Sequence, residues 1–427
     1  MVTIMNLQTL TIAEAANMLS VSMDTIRRWD KKGLIKAGRN ANNVRIFHTE
    51  ELQRAHKKYI SGEQSKELII HTNPSRSNFK TVELFAGAGG LALGLENSGL
   101  NHELLVEFNK DAAKTLQTNR PHWNVRCQDA KEVDYTGVSA DIVTGGFPCQ
   151  SFSFAGKQLG FDDTRGTLFF ELARAVKEIN PKIAVGENVK GLRTHDNGRT
   201  LQVMIKIMND LGYRVATKVL RAQYLDVPQK RERLIIMCIR NDLDLPFIFP
   251  KEMNYTISLK EALKNVPKSD GQKYPEKKRK ILEIIPPGGY WKDLPDSLQR
   301  DYMGASYFLG GGKTGMARRL AWDEPSLTLT CAPAQKQTER CHPEETRPLT
   351  VREYARIQTF PDEWQFTGST SSIYKQIGNA VPVNLAYYLG RCLIAMLDGR
   401  IESDIMQIID KPDGTQDLVE QADLFAN

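Results

Sequence analysis

The sequence predicts an α/β protein: a mostly parallel sheet with helices on both faces, a small helical unit before it, and a smaller irregular domain set into its second half. Three observations carry this. From Lys80 onward apolar strands alternate with helices, through TVELF, HELLVEF, DIVTGGF and KIAVGEN to VATKVL and LIIMCI. Such βαβ alternation builds parallel sheets whose ligands bind at the carboxyl ends of the strands. The first 60 residues show helical spacing broken by tight turns. Residues 241 to about 330 hold neither period and gather Pro, Gly and the aromatics Tyr290, Trp291, Tyr302, Tyr307 and Phe308.

In the opening segment LTIAEAANMLSVSMDTIRRWDKKGLI, Ile12, Ala15, Ala16 and Leu19 share one helical face, and Ser20 to Ser22 interrupt it. Ser22 can cap a second helix over residues 23–32, and Gly33 can end it. A serine oxygen accepts from the open N–H groups of a first turn, and glycine takes the left-handed terminus without strain. Gly38 to Asn43 reads as a loop between strands, and Thr49 caps a third helix to Tyr59. The unit resembles winged, MerR-like helix-turn-helix domains. That resemblance implies that its second helix, with Arg27, Arg28, Lys31 and Lys32, faces DNA, and it makes Arg27 and Arg28 candidate contacts. A helical unit used only for packing or dimerisation fits the same pattern.

The expected boundaries follow. The helix-turn-helix unit covers 1–60, and a linker rich in Ser, Asn and Pro covers 61–79. The α/β part runs over 80–240, the irregular domain over 241–345, and the α/β part resumes over 346–400 before a tail at 401–427. In the resumed part, Thr350 caps a helix in RPLTVREYARIQTF and another helix follows Pro382.

With 427 residues, 41% hydrophobic and 25% charged, the chain has the composition of an ordinary globular protein. No stretch is expected to match the roughly 20 apolar residues of a membrane span, and MVTIMNLQTL lacks the layout of a signal peptide. A cytoplasmic protein without a membrane partner is expected. Six cysteines without a CxxC pair suggest no zinc site, no other metal and no disulfide framework. The net charge is +6, and the first 70 residues, with 11 Lys and Arg against seven Asp and Glu, hold four of those charges. The basic run Lys277 to Lys280 can grip phosphates or stand as a solvated surface run.

The loop FAGAGG, Phe85 to Gly90, follows a strand and opens a helix, so its backbone can approach a ligand at a helix N-terminus. Glu107 lies 20 positions after Gly87 at the end of the next strand, where a carboxylate can accept from ribose hydroxyls. Asp129, one strand later, can bind an adenine amino group. A nucleoside-containing cofactor is indicated, and at this point a nicotinamide dinucleotide satisfies the pattern too. The next loop, GGFPCQSFSFAGKQLGFDDTRGTLFF, places Cys149 just beyond an apolar strand, ahead of a polar, Gly-containing segment able to close over a substrate. A thiol is only slightly ionised at neutral pH, so a catalytic cysteine needs cationic neighbours or a helix dipole. Arg231 and Arg233 of PQKRERLIIM are candidates.

Seven motifs in order, FAGAGG, GFPCQSFS, RGTLFF, GENVKGL, QKRER, RPLTVREYARIQTFP and QIGNAVP, make residues 80–397 resemble the DNA cytosine-5-methyltransferases, bacterial restriction-modification enzymes in particular. The resemblance implies a Rossmann-like, S-adenosylmethionine-dependent methyltransferase fold with a target-recognition domain. It implies that the Cys149 thiolate adds to C6 of a cytosine flipped out of double-stranded DNA, so that C5 can take the methyl group. Glu187 would contact cytosine N3, Arg233 would reach the ring carbonyl, and Arg231 and Gln229 would hold the catalytic loop and the substrate strand. Phe85, Gly87, Gly89, Leu91, Glu107, Asp129, Pro148, Leu168, Asn379 and Val381 would hold the cofactor. Arg165 would bind phosphate, and Ser153 would help fill the space left by the flipped base. Specificity would come from the 241–345 domain.

The same resemblance implies a monomer on DNA and a cognate restriction endonuclease encoded nearby, without a stable complex between them. It places the enzyme at the bacterial nucleoid. Two alternatives share the motifs: methylation of RNA cytosine, and a dual role in which residues 1–60 also regulate transcription. A regulator using the methylase half only as a scaffold is opposed by the intact Cys149 and Glu187.

Overall fold

The computed structural model describes residues 9–61, 66–147, 168–310 and 313–409. Their contacts form two compact units, one from residues 1–68 and 255–357, the other from 69–254 and 358–427. The helix-turn-helix segment and the irregular region, expected as separate domains, therefore fall in one unit. The helix Val351–Ile357, expected in the resumed α/β part, belongs to that unit as well.

In the first unit, strand β1 (Thr9–Thr11) leads into helix α1 (Ile12–Leu19), capped reciprocally by Thr11 and Glu14. Helix α2 (Met23–Lys31) starts on the Ser22 oxygen, which accepts from the Thr25 N–H. Gly33, at φ +70°, turns the chain after it. Strands β2 (Gly38–Arg39) and β3 (Arg45–His48) form an antiparallel hairpin that β1 completes, in the order β1-β3-β2. Helix α3 (Thr49–Ser61) follows. Ala15, Ala16, Leu19, Ile26, Trp29, Phe47 and Leu52 fill the core between them, which is the winged arrangement that the spacing predicts.

The second unit carries a seven-stranded sheet. Its strands are β4 (Lys80–Leu84), β5 (Asn101–Val106), β6 (Val125–Arg126), β7 (Ile142–Gly146), β8 (Ile183–Val189), β9 (Tyr213–Arg221) and β11 (Glu232–Arg240), with a short β10 (Gln229–Lys230) outside it. The order is β6-β5-β4-β7-β8-β11-β9, and β11 runs antiparallel to both its neighbours. The chain leaves β4 toward one edge and later returns to β7 on its other side, so a ligand crevice opens at their carboxyl ends. Side chains alternate between the faces as a pleated strand requires. Ile235, Met237 and Ile239 enter one core, with Leu385, Leu389 and Leu393, while Leu234, Ile236 and Cys238 enter the other, with Leu172 and Met204.

Two points correct the sequence expectation. Thr370–Asp398 is long and apolar enough to pass for a membrane span, but 83% of its most apolar window is buried. It comprises two core helices, Thr370–Asn379 and Val383–Asp398. The segment 66–79, read as linker, has no regular element but is tied down: His71 reaches Asp226 at 2.8 Å, and Asn384 donates to the Ile69 carbonyl at 2.8 Å.

Packing sets a strict demand at helix α4 (Gly90–Ser98). A Cβ on Gly90 would lie 2.1 Å from the Val381 carbonyl oxygen, and one on Gly94 2.3 Å from the Ala386 Cβ. Gly90→Ala is therefore expected to force α4 away from the 381–398 segment, costing about 1–3 kcal/mol, which thermal unfolding checks.

In the remainder of the first unit, Tyr274, Leu282, Tyr290, Trp291, Leu294 and Met316 form a separate core. The basic run at 277–280 lies on the helix Glu276–Ile284. There Lys278 ion-pairs with the fully buried Glu339, and Arg279 pairs with Glu276 and Glu283 of its own helix. Lys278 thus serves the fold, while Arg279 and Lys280 stay exposed on the surface of the helix. Cys341 and His342 are buried, and the described residues hold no cluster fit for a metal.

Candidate active site

The glycine-rich loop turns sharply out of β4. Phe85 adopts φ +59° and Gly87 φ +55°, values that a side chain tolerates poorly. This aims the Gly87 N–H at Glu107, whose Oε2 accepts it at 2.7 Å, while Oε1 takes the Asn109 N–H at 2.7 Å. Burial pushes the Glu107 carboxyl above its ordinary range, opposed by these amide donors. The space beside Gly87 is open, with no atom within 4 Å of where a Cβ would stand.

Asp129 accepts from the Lys131 N–H at 3.0 Å, Leu168 opens a helix, and Val381 backs Gly90. Phe85, Gly87, Gly89, Leu91, Glu107 and Val381 thus surround one loop at the carboxyl end of β4, which suits a nucleoside group with ribose hydroxyls. Phe108, not anticipated from the sequence, is 72% exposed beside Glu107 and offers an aromatic face to a base. Its only sequence signal is its place after the acidic residue.

Glu187 sits on β8 opposite Gly146 of β7 and Ile235 of β11. Its Oε2 lies 3.1 Å from where a Cβ on Gly146 would stand, so only glycine there lets the carboxylate pass at full clearance. Arg233 Nε lies 2.6 Å from Glu187 Oε1, an ion pair rather than an aligned hydrogen bond. Both side chains are nearly buried, and burial pulls the guanidinium below its ordinary value while Glu187 opposes this. A carboxylate and a guanidinium are therefore held side by side at the strand end that leads to Cys149.

Asn188, next in GENVKGL, donates from Nδ2 to the Phe147 carbonyl at 2.8 Å and accepts the Val189 N–H. It fixes the last described residue before Pro148. Sequence reading passed over it, because an asparagine beside a motif glutamate has no distinctive spacing. Asn188→Ala removes the side-chain donor from the Phe147 carbonyl, a cost of about 1–3 kcal/mol. The expected result is a lower melting temperature than that of the native chain, read by thermal unfolding.

Two further candidates, Gln229 and Arg231, are buried and hydrogen-bonded to the segment 358–380. Gln229 is fully buried and donates to Gln358 Oε1 at 2.8 Å, while Gln358 donates to the Ile377 and Ala380 carbonyls. Arg231, 1% exposed, donates to the Gly378 carbonyl at 3.1 Å. A cation at a helix C-terminus satisfies its open carbonyls, so Arg231 holds the helix that ends at Asn379. Both residues therefore tie the segments 229–231, 358 and 377–380 together, and the catalytic loop assigned to them lies outside the described residues.

Of the candidates for DNA, Arg27 pairs with Asp24 of its own helix, half exposed. Arg28 is turned inward onto Asp323 and Glu324, which corrects its reading as a DNA contact. Pro148, Cys149, Ser153 and Arg165 lie outside the described residues.

Comparison with known proteins supplies the remaining evidence. The family model "C-5 cytosine-specific DNA methylase" matches residues 79–395, and "MerR family regulatory protein" matches residues 11–47. The chain is 56% identical over 405 residues to the Type II methyltransferase M.Eco47II of Escherichia coli, covering 91% of this chain and 95% of that one. It is 52% identical to M.PspPI of a Psychrobacter species, covering 90% and 96%. Among solved structures, a DNA modification methyltransferase encoded in an E. coli prophage aligns with a TM-score of 0.56 at 22% identity, over 75% of this chain and all of that one, a likeness of fold.

Proposed function

This chain belongs to the C-5 cytosine-specific DNA methylases, and on that premise we propose that it methylates one cytosine of a short duplex sequence by covalent catalysis through Cys149, drawing on S-adenosylmethionine. The observation that carries the reading is the Glu187–Arg233 pair, held against β7 at the strand end that leads to Cys149. Cytosine C5 is a weak nucleophile until C6 carries an electron-rich substituent. The Cys149 sulfur would form a bond to C6, and the ring electrons displaced toward N3 would be met there by a proton that Glu187 passes to the ring. Arg233 would orient that carboxyl group and face the ring carbonyl.

When bound, S-adenosylmethionine supplies an electrophilic methyl group. Phe85, Gly87 and Leu91 would shape its cradle, Glu107 would accept from its ribose, Asp129 and Phe108 would address its adenine, and Leu168, Asn379 and Val381 would close the far side. A base or a water molecule would then take the C5 proton, the electrons left at C5 would expel the Cys149 sulfur from C6, and N3 would give back its proton, freeing the thiolate. The reactive atoms are hidden in a stacked duplex, so the cytosine must be flipped out at a cost of a few kcal/mol. Ser153 and Arg165 are assigned to the flipped strand and its phosphates.

The kinship with Type II methyltransferases supports a protective role beside a cognate restriction endonuclease in the bacterial cytoplasm, with the enzyme acting as a monomer. Bisulfite sequencing of DNA and RNA from cells expressing the chain tests the reading. Protected cytosines at one recurring duplex sequence are expected, and protection confined to RNA would reject it.

A further inference from the structure

Helix α2 is where a helix-turn-helix unit meets the major groove, entering with its N-terminal residues. In this chain the N-terminal turn and the middle of α2 are already occupied by residues 288–324 of the same unit. At the N-terminus, Asp293 accepts from the Met23 N–H and, at 2.9 Å, from the Tyr290 N–H. Gly288, at φ +77°, brings its backbone so close that a Cβ would stand 2.7 Å from Thr25 Oγ1 and 3.3 Å from Ser22 Oγ. Ser22 and Thr25 are fully buried.

One turn further on, Arg28 pairs with Asp323 and, at 2.8 Å, with Glu324, while the Trp29 indole N–H donates to Asp323 at 3.3 Å. Arg318 completes the cluster at 3.7 Å from Glu324 and 3.9 Å from Asp24. Of these partners only Asp24 has a side chain more than 15% exposed. An ion-pair network so sheltered from solvent is costly to break, because each released charge is left without its partner. A duplex could reach Arg28 and the N-terminal turn of α2 only by breaking it, while Arg27 stays half exposed.

We infer that the helix-turn-helix segment is a fixed lobe of the target-recognition unit, locked by the contact of α2 with residues 288–324, and does not read an operator through α2. The fold of a transcription factor is retained here with its reading helix spent on an intramolecular interface. The reading does not depend on the methylation chemistry, and the variants below leave every residue assigned to that chemistry in place.

The test compares Arg28→Ala, Asp323→Ala and the double variant in the full-length chain. Two readouts are thermal unfolding and binding to a duplex covering the promoter upstream of its own gene, titrated against salt. In the docked arrangement the two single variants act alike. Each lowers the melting temperature, the double variant loses no more than the worse single one, and their promoter affinities stay within twofold of each other. A contrary pattern would overturn the inference: Arg28→Ala weakening promoter binding tenfold and flattening its salt dependence by about one phosphate contact, with Asp323→Ala neutral or tighter-binding. Strictly additive or absent effects on unfolding overturn it too. If an alanine variant does not fold, Arg28→Lys and Asp323→Asn replace it, and slow amide exchange across α2, unchanged when the duplex is added, is the outcome that supports docking.

Discussion

Cys149→Ala is expected to abolish methyl transfer, by at least about ten-thousandfold, while the chain still binds target DNA. The magnitude follows from the role assigned to the thiolate. Without a bond at C6, the C5 carbon keeps its aromatic character, and no other group of the site can supply the missing electron pair. Binding should persist because contacts to phosphates and base edges lie elsewhere and make up most of the affinity for a duplex. Transfer of radiolabel from S-adenosylmethionine to DNA measures the first effect, and a mobility shift measures the second. Turnover by the purified variant above background would remove covalent catalysis from the account.

Glu187→Gln should slow the chemical step by about 10²–10⁴-fold, the range of a lost acid or base, with cofactor affinity within about twofold of the native value. The amide keeps the shape and one acceptor oxygen but can neither hold a proton for N3 nor balance the charge of Arg233. Since the pair is nearly buried, loss of one charge also costs stability, roughly 3–5 kcal/mol when the partner is left uncompensated. A melting curve separates that loss from the kinetic effect. Glu187→Asp keeps the charge and withdraws it by one methylene, so it should recover stability ahead of rate. Collapse of cofactor binding with a preserved rate constant would reassign Glu187 to the cofactor side.

Much of this arrangement can be read in the residues. The strands of the sheet announce themselves as short apolar runs, and Gly87 and Glu107 stand at the spacing that later places a backbone N–H on a carboxylate at 2.7 Å. Less legible is which residues of QKRER face the site. A uniform strand would send Arg231 and Arg233 to the same side, yet the Arg231 N–H closes a two-residue turn on the Gln229 carbonyl, which resets the alternation. Arg231 then points into the core and Arg233 toward Glu187. Nothing in the five letters encodes that turn.

The docking of α2 is hidden for another reason. Helical spacing, cap and basic residues in MDTIRRWDK describe a surface reading helix accurately as far as local physics goes. What covers it lies almost 300 positions away, where Asp323 meets Arg28. In the same way the buried Glu339 draws Lys278 out of a run resembling a phosphate grip and into an internal ion pair. Charge on a helix reports what it could bind, and only the long-range packing reports whether that charge is already satisfied.

A single trapping measurement addresses the centre of the account. Target duplexes carrying 5-fluorocytosine cannot release the enzyme after methyl transfer, because fluorine replaces the proton that must leave C5. Incubation with S-adenosylmethionine should give a denaturant-stable complex whose peptide mass maps the bond to Cys149, and which is missing in Cys149→Ala. Methylation of the normal duplex without any trapped species on the fluorinated one, or a bond mapped to another residue, would contradict it.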